Sequence, residues 1–118
     1  MQAGLFYFLV DDYFVDFPDS NLLRNKEMVG GKPHNRPCFY AFRNDSSEIY
    51  WMIPISSKIE KYQKIYDKKI RQKGFCGTIV FGQVLGYKTA FLIQNMCPTI
   101  PRYISGSYVD MNAIFRFE

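Results

Sequence analysis

The segment Pro54-Ile55-Ser56-Ser57-Lys58 places two hydroxyls and an ammonium group where an apolar run gives way to a helical pattern. A helix N-terminus presents backbone N–H groups and the positive end of the helix dipole, so this position suits a phosphate. The simpler interpretation is that Ser57 is only the N-cap and Lys58 is solvated. Ser56 is then the informative residue, because a cap does not require it.

A second group of candidates lies in the basic segment Lys32-Pro33-His34-Asn35-Arg36-Pro37. His34 is the single histidine of the chain, and an imidazole titrates near neutrality, so His34 is a candidate for proton transfer as well as an ordinary surface residue. Arg36 suits a phosphorane-like transition state, and it suits equally an ion pair with the acidic residues 11 to 19. Trp51 is a candidate for base stacking, although most aromatic residues of so aromatic a chain must form the core.

The positive charge is concentrated in one segment. Residues 58–73 contain seven Lys or Arg and two Asp or Glu, a net charge of +5, while the other residues sum to −1. A positive helix face of this kind, with Lys61, Lys64 and Lys68, suits the phosphate backbone of a nucleic acid. A solvated lysine-rich helix explains the composition equally well.

Several classes of site are excluded by residue counts. The three cysteines are widely spaced and odd in number, which argues against a disulfide framework and a four-ligand zinc site. Cys38 and Cys97 are flanked by apolar residues and are expected to be buried thiols. The apolar run Leu5 to Val10 is too short for a membrane span and follows no basic residue, so no signal peptide or membrane anchor is expected. The cysteine pattern makes a reducing cytosol the simplest location. Glycine-rich phosphate loops are absent from the sequence, and no cofactor is expected.

Hydrophobic periodicity predicts an α+β fold with a mainly β core, in one domain covering residues 1–118. The predicted elements are a strand at 5–10, a short helix and turn at 11–21, an irregular loop at 23–37, a hairpin of strands 38–42 and 49–53 leading into Pro54, a helix at 58–73 capped by Ser57 and Glu60, a second hairpin of strands 78–85 and 89–96, a turn or short helix at 98–104, and a strand at 109–117. Together they predict a strongly bent antiparallel sheet or a partly open barrel with helical insertions.

Three segments carry a family resemblance: His34-Asn35-Arg36-Pro37-Cys38-Phe39-Tyr40, the strand-to-helix segment Tyr50 to Lys58, and Phe91-Leu92-Ile93-Gln94-Asn95-Met96. Over nearly the whole chain the sequence resembles the toxins of type III toxin–antitoxin systems, the ToxN/CptN-like endoribonucleases. The resemblance implies an SH3-like barrel and a metal-independent RNase that a small pseudoknotted RNA antitoxin holds inactive. Family members usually continue with C-terminal helices, so a chain ending at Glu118 is expected to be a short or C-terminally truncated member.

The resemblance also implies a set of site residues. The family's hydroxyl pair matches Ser56 and Ser57, and its lysine matches Lys58 or, one helical turn later, Lys61. His34 and Cys38 stand about where better-known members have Tyr and Lys. The implied catalytic residues are His34, Arg36, Ser56, Ser57 and Lys58, and the implied RNA-binding residues are Lys32, Lys61, Lys64, Lys68 and Trp51.

The implied reaction is attack of the substrate's own 2′-OH on the adjacent phosphate, which leaves a 2′,3′-cyclic phosphate and a 5′-OH. The expected partners are RNA substrates and the RNA antitoxin, in a protein–RNA hetero-oligomer without a membrane. Two alternatives stay open: a small barrel that binds RNA or protein without cleaving it, and an mRNA-cleaving toxin inhibited by a protein.

Overall fold

The structure is a computed structural model that describes residues 4–18, 26–29, 32–44, 46–107 and 115–117, with backbone alone for 26–29, 32–35, 106–107 and 115–117. In the first part of the chain the elements are β1 (Phe6–Leu9), α1 (Asp11–Asp16), β2 (Lys26–Val29), β3 (Lys32–Asn35), β4 (Pro37–Arg43) and β5 (Tyr50–Ser56). They are followed by α2 (Ile59–Lys73), β6 (Val80–Val84), β7 (Tyr87–Phe91), a 3-10 helix (Ile93–Asn95), β8 (Cys97–Thr99), a second 3-10 helix (Pro101–Tyr103), β9 (Ile104–Ser107) and β10 (Phe115–Phe117).

Eight of the described strands form one antiparallel sheet in the order β10-β6-β7-β5-β4-β1-β9, with β8 paired to β5. Strand β5 is its centre: Tyr50–Met52 pair with β8, Ile55 and Ser56 pair with β7, and β4 runs along the opposite edge. Within the described residues β9 and β10 end the strand order without pairing to each other, so the sheet is not closed. The predicted α+β class with a mainly antiparallel sheet is confirmed.

Strand β5 continues through Pro54 to Ser56, so the prediction that the strand ends before this proline is wrong. Pro54 lies between the residues that pair with β8 and those that pair with β7. A proline is tolerated there because its missing N–H interrupts neither ladder. Its carbonyl still accepts a hydrogen bond from the N–H of Leu92, at 3.0 Å.

The predicted irregular loop at 23–37 is also wrong in part, because it contains the hairpin β2–β3 and the start of β4. Pro33 lies opposite Met28 in a two-stranded sheet, where a missing N–H can face away from the partner strand. Pro37 is the first residue of β4, another position that tolerates proline. Residues 23–25, 30 and 31 of the predicted loop lie outside the described residues.

Helix α2 is confirmed, and its apolar face packs on the hairpin β6–β7. Tyr62 is buried with Ile79, Phe81, Ala90 and Leu92. The rings of Tyr66 and Phe81 meet edge to face with centroids 5.4 Å apart. The helix ends at Gly74, which has φ +80° and donates its N–H to the carbonyl of Ile70 at 2.8 Å. Glycine suits this left-handed position because it lacks a Cβ.

The second predicted hairpin is confirmed with shorter strands. β6 and β7 are joined by a two-residue turn in which Leu85 has φ +54° and Gly86 has φ +81°. Positive φ at both positions matches the right-handed twist of the strands. The predicted strand 89–96 ends at Phe91 and is followed by the first 3-10 helix. The predicted turn or helix at 98–104 divides into the end of β8 and the second 3-10 helix.

Of the strand predicted at 109–117, residues 115–117 form β10 and residues 109–114 lie outside the described residues. The central core surrounds Met52 and includes the buried thiols of Cys38 and Cys97, as expected. A second cluster packs Phe6 against Phe91. No helix among the described residues is long and apolar enough to cross a membrane.

Candidate functional site

The junction of β5 and α2 places two adjacent serines in different environments. Ser56 ends β5, is 2% exposed, and accepts a hydrogen bond from the Lys58 N–H through Oγ at 3.1 Å. Ser57 and Lys58 are exposed. Ser56 therefore shapes the turn from inside, while Ser57 and Lys58 present their polar groups to solvent.

The predicted N-cap at Ser57 is wrong. Helix α2 begins at Ile59, and Lys58 occupies the N-cap position without a capping bond from its side chain. The Ile59 N–H donates to the carbonyl of Ser57 at 2.8 Å. The cause is the length of β5: because the strand continues to Ser56, the chain needs Ser57 and Lys58 to turn into the helix.

Arg36 reaches this junction from the start of β4. Cys38 lies opposite Pro54 in the β4–β5 pairing, so a side chain two residues before Cys38 lies near the far end of β5. The Nη1 of Arg36 donates to the carbonyl of Ile55 at 3.0 Å, and Arg36 is only 9% exposed. The structure thus brings Arg36 together with Ser56, Ser57 and Lys58.

His34 and Lys32 lie on β3, where His34 is opposite Glu27 and Lys32 is opposite Val29. The backbone of His34 is two residues from Arg36, which reaches the junction. The side chains of His34 and Lys32 lie outside the described residues, so their predicted roles stay predictions.

The exposed face of α2 carries the predicted RNA-binding lysines. Lys61, Lys64 and Lys68 are exposed. Helical spacing places Lys64 and Lys68 on the side of α2 opposite Tyr62 and Tyr66, with Lys61 at the edge of that side. The Nζ of Lys61 lies 5.2 Å from the centroid of the Tyr62 ring. These lysines form the "basic face", which continues from Lys58 along the helix.

Not every cation of α2 belongs to the basic face. Lys69 is half-buried and donates a hydrogen bond to Oγ1 of Thr78, in the segment between α2 and β6. Its side chain therefore ties the helix to that segment. Asp67, an acidic residue of the helix, accepts a hydrogen bond from Nε2 of Gln63 at 3.0 Å.

Trp51 does not lie at the junction. It is five residues before Ser56, about 16 Å along an extended strand, and its Nε1 donates to Oδ1 of Asn44 at 3.2 Å. Its ring stacks on Phe42, with centroids 6.1 Å apart and planes at 23°. Because Phe42 is 48% exposed, the two rings form a separate aromatic surface on the β4–β5 hairpin.

Sequence reasoning missed Phe42 as the partner of Trp51. Simple alternation places Phe42 on the same side of the strand as the buried Tyr40. The pairing of β4 with β5 instead shifts register between Tyr40 and Phe42, which face Met52 and Trp51 respectively. Such a bulge reverses the orientation of the residues that follow, and the sequence carries no clear local signal for it.

The thiols differ strongly in environment. Burial raises the pKa of Cys38 and that of Cys97 above the value of an ordinary thiol. For Cys76 slight burial acts in the same direction, but hydrogen bonds with Thr78 and Ile79 and the charge of Lys69 give a net lowering of the pKa. Among the described residues no three His, Cys, Asp or Glu side chains are grouped to hold a metal ion.

Chemically, the junction combines an exposed hydroxyl and an exposed ammonium group at the start of a basic helix, and a buried guanidinium contacts the end of β5 beside them. Such a set can bind a phosphate and stabilise negative charge that develops on it. Neither a protein-family model nor a curated protein matches the chain.

Proposed function

We propose that the protein is a metal-independent endoribonuclease toxin of a type III toxin–antitoxin system, inhibited by a small pseudoknotted RNA that it also processes. The observation that supports this most directly is the convergence of Arg36 with Ser56, Ser57 and Lys58 at the β5–α2 junction. These are four of the five catalytic residues that the family resemblance implies. Arg36 and Ser56 meet there although 20 positions separate them in the sequence.

In the proposed reaction the 2′-oxygen of the substrate forms a bond to the adjacent phosphorus, and the bond from phosphorus to the 5′-oxygen breaks. A base removes the 2′-OH proton, and an acid protonates the leaving 5′-oxygen. His34 and Lys58 share these proton transfers, and Ser57 and the N–H groups that follow Ile59 in the first turn of α2 contact the phosphate. Arg36 and Ser56 are positioning residues in this proposal, because both are buried against the turn that presents Ser57 and Lys58.

The proposed fold and assembly follow from the same resemblance. Strand β5 changes partner along one edge, from β8 to β7, and this change of partner supports the proposal of an SH3-like barrel. The basic face of α2, together with Lys32, supplies attraction for RNA along the path to the junction. We propose a protein–RNA hetero-oligomer in the cytoplasm as the inhibited form.

The test is cleavage of single-stranded RNA by the purified chain in EDTA, with the products analysed by mass spectrometry. We expect 2′,3′-cyclic phosphate and 5′-OH ends, and no cleavage where the scissile nucleotide lacks its 2′-OH. His34→Ala and Lys58→Ala should each lower the rate by about 100-fold or more. Lys73→Ala, an exposed lysine at the other end of α2, is the matched control and should cleave normally.

Two results would contradict the proposal. One is cleavage at the wild-type rate by His34→Ala, Ser56→Ala and Lys58→Ala alike. The other is cleavage that depends on added metal, or that leaves 5′-phosphate and 3′-OH ends, because attack by the 2′-OH cannot produce those ends. Co-expressed repeat RNA that leaves cleavage unchanged would argue against an RNA antitoxin in particular.

The stacked pair of Phe42 and Trp51 supports one alternative, a domain that binds RNA without cleaving it. Exposed aromatic rings stack on bases with little dependence on sequence. In that case RNA would bind and remain intact, and Phe42→Ser would weaken binding more than Lys58→Ala. The cleavage assay combined with a binding titration separates the two functions.

A further inference from the structure

A pocket of about 590 Å³ lies between the end of α1 and the segment that runs from β8 through the second 3-10 helix. Its wall includes Tyr13, Phe17, Pro98, Ile100 and Tyr103, with Asp16 as the charged residue. This volume lies within the range of about 300–1,000 Å³ that is typical of small-molecule sites. The residues of the proposed RNA site do not line it.

The aromatic wall is held in place by its own contacts. The ring centroids of Tyr13, Phe17 and Tyr103 lie 5.4–5.6 Å from one another. The hydroxyl of Tyr13 donates to the carbonyl of Pro98 at 2.6 Å, and Tyr13 and Tyr103 are both buried. The pocket is therefore preformed, and a ligand would not have to order these side chains.

The rim combines apolar surface with negative charge. Phe17 is 51% exposed and Ile100 is 39% exposed, so apolar area faces solvent at the opening. The Oδ2 of Asp16 accepts a hydrogen bond from the Tyr103 hydroxyl at 2.8 Å. A carboxylate offers about four acceptor positions, so Asp16 can accept further hydrogen bonds from a ligand.

The surrounding charges favour a cation. Helix α1 has Asp11 and Asp12 in its first turn and no basic residue in its last turn. The described cation Arg102 lies beside the pocket, with its guanidinium over the Tyr103 ring at 4.9 Å. Among the described residues, the carboxylates of α1 thus outnumber the one guanidinium beside the pocket, in contrast to the basic face of α2.

We propose that this pocket binds an organic cation with a flat apolar body, which lies against the rings of Tyr13, Phe17 and Tyr103 while its ammonium group meets the Asp16 carboxylate. The site is separate from the proposed RNA site, because β8 borders Tyr50–Met52 and the RNA site lies at the other end of β5. The proposal does not depend on ribonuclease activity.

The test compares three probes of one shape at pH 7: 2-naphthylmethylamine, 2-naphthalenemethanol and 2-naphthoate. Each is titrated into the full chain and followed through backbone amide shifts in ¹H–¹⁵N spectra. We expect the amine to bind about fivefold more tightly than the alcohol, the carboxylate to bind most weakly, and the shifts to centre on Tyr13, Phe17 and Ile100. Equal affinities, no binding at millimolar probe, or shifts centred elsewhere would overturn the proposal.

Two variants make the test specific. Asp16→Asn keeps an acceptor for the Tyr103 hydroxyl and should lower the affinity for the amine to that for the alcohol. Asp11→Asn, on the same helix but outside the pocket, should keep the preference for the amine. A preference that survives Asp16→Asn would contradict the role of the carboxylate.

Ile100→Trp tests the pocket itself. The residue is partly exposed, so a larger side chain can be accommodated while it fills the opening, and an unchanged pattern of amide shifts elsewhere verifies the fold. We expect more than tenfold weaker binding of both the amine and the alcohol. Wild-type affinity in this variant would show that the probes bind elsewhere and would refute the proposal.

Discussion

Ser56 and Ser57 are neighbours with opposite roles in the structure. The side chain of Ser56 is buried and holds the turn through the Lys58 N–H, whereas Ser57 is exposed. A pair of identical residues at a strand-to-helix junction cannot be told apart by type. The distinction comes from the length of β5, which determines which hydroxyl points into the protein.

Mutation of the two serines should therefore change the stability of the protein by different amounts. Ser56→Ala leaves the Lys58 N–H without this acceptor and should lower the free energy of unfolding by about 1–2 kcal/mol. Ser57→Ala is the matched control and should change it by less than about 0.5 kcal/mol. Urea unfolding followed by Trp51 fluorescence measures both. Equal losses, or a larger loss for Ser57→Ala, would mean that the Ser56 hydrogen bond does not stabilise the turn.

The position of the Arg36 side chain likewise depends on residues that are distant in the sequence. From the sequence it was equally suited to a phosphate or to an ion pair with residues 11 to 19. The β4–β5 register carries its guanidinium to the carbonyl of Ile55. A buried guanidinium with fixed direction stiffens the turn that follows, which is why we treat Arg36 as a positioning residue.

Helix α2 has two faces with different functions. Its apolar face packs on β6–β7, and its basic face carries Lys61, Lys64 and Lys68 into solvent. Both follow from the 3.6-residue period of the sequence, so the helix and its exposed lysines were predictable. The hydrogen bond from Lys69 to Thr78 was not predictable, because it depends on the path of the segment that follows the helix.

Replacement of the basic face should reduce the salt dependence of RNA binding. The triple variant Lys61→Gln, Lys64→Gln, Lys68→Gln should lower the slope of log K against log salt concentration by about 2, since each phosphate contact to a single strand contributes about 0.7. Fluorescence anisotropy with a labelled single-stranded RNA at several salt concentrations measures the slope. An unchanged slope would show that the basic face does not contact the phosphates of the RNA.

The control for this experiment carries the same change in charge elsewhere. Arg43, Lys88 and Arg102 are exposed and lie outside α2. Their combined replacement by Gln should leave the slope within about 0.5 of wild type. If this control lowered the slope as much as the α2 variant does, RNA binding would depend on the net charge of the protein and not on the basic face.

At the scale of the whole molecule, the three cysteines lie at different depths in the protein. Cys38 and Cys97 lie in the central core on either side of β5, where burial raises their pKa values. Cys76 lies near the surface between α2 and β6, and its pKa is lowered. A lowered pKa increases the thiolate fraction at a given pH, and the thiolate is the species that reacts with alkylating agents.

We therefore expect iodoacetamide to modify one thiol of the folded protein at pH 7.5. Intact mass spectrometry should show a single adduct that Cys76→Ser abolishes, and all three thiols should react once denaturant unfolds the chain. The rate should rise with pH and level off below the pH expected for an ordinary thiol. Two or three adducts formed at the same rate in the folded protein would contradict the burial of Cys38 and Cys97.

Charge is also divided across the whole molecule. The basic face lies on α2, the acidic helix α1 borders the pocket of Tyr13 and Asp16, and β5 separates the two sites. An anionic polymer and an organic cation would thus bind at different places on one small sheet. The net charge of +4 conceals this division.

The sequence by itself determined the features that depend on neighbours a few positions apart. These are the first strand, both helices, the two predicted hairpins, the buried thiols and the lysines of the basic face. Periods of 2 and 3.6 residues encode them, because they decide which side chains share a face.

Only the tertiary structure decided which Ser is buried, that Arg36 reaches the β5–α2 junction, that Phe42 stacks on Trp51, and that Asp16 borders a pocket. Each depends on strand length or on the register between strands far apart in the chain. A single bulge or one extra residue in β5 moves side chains to the opposite face of a sheet. Local periodicity does not encode that choice, whereas the packing of the complete sheet does.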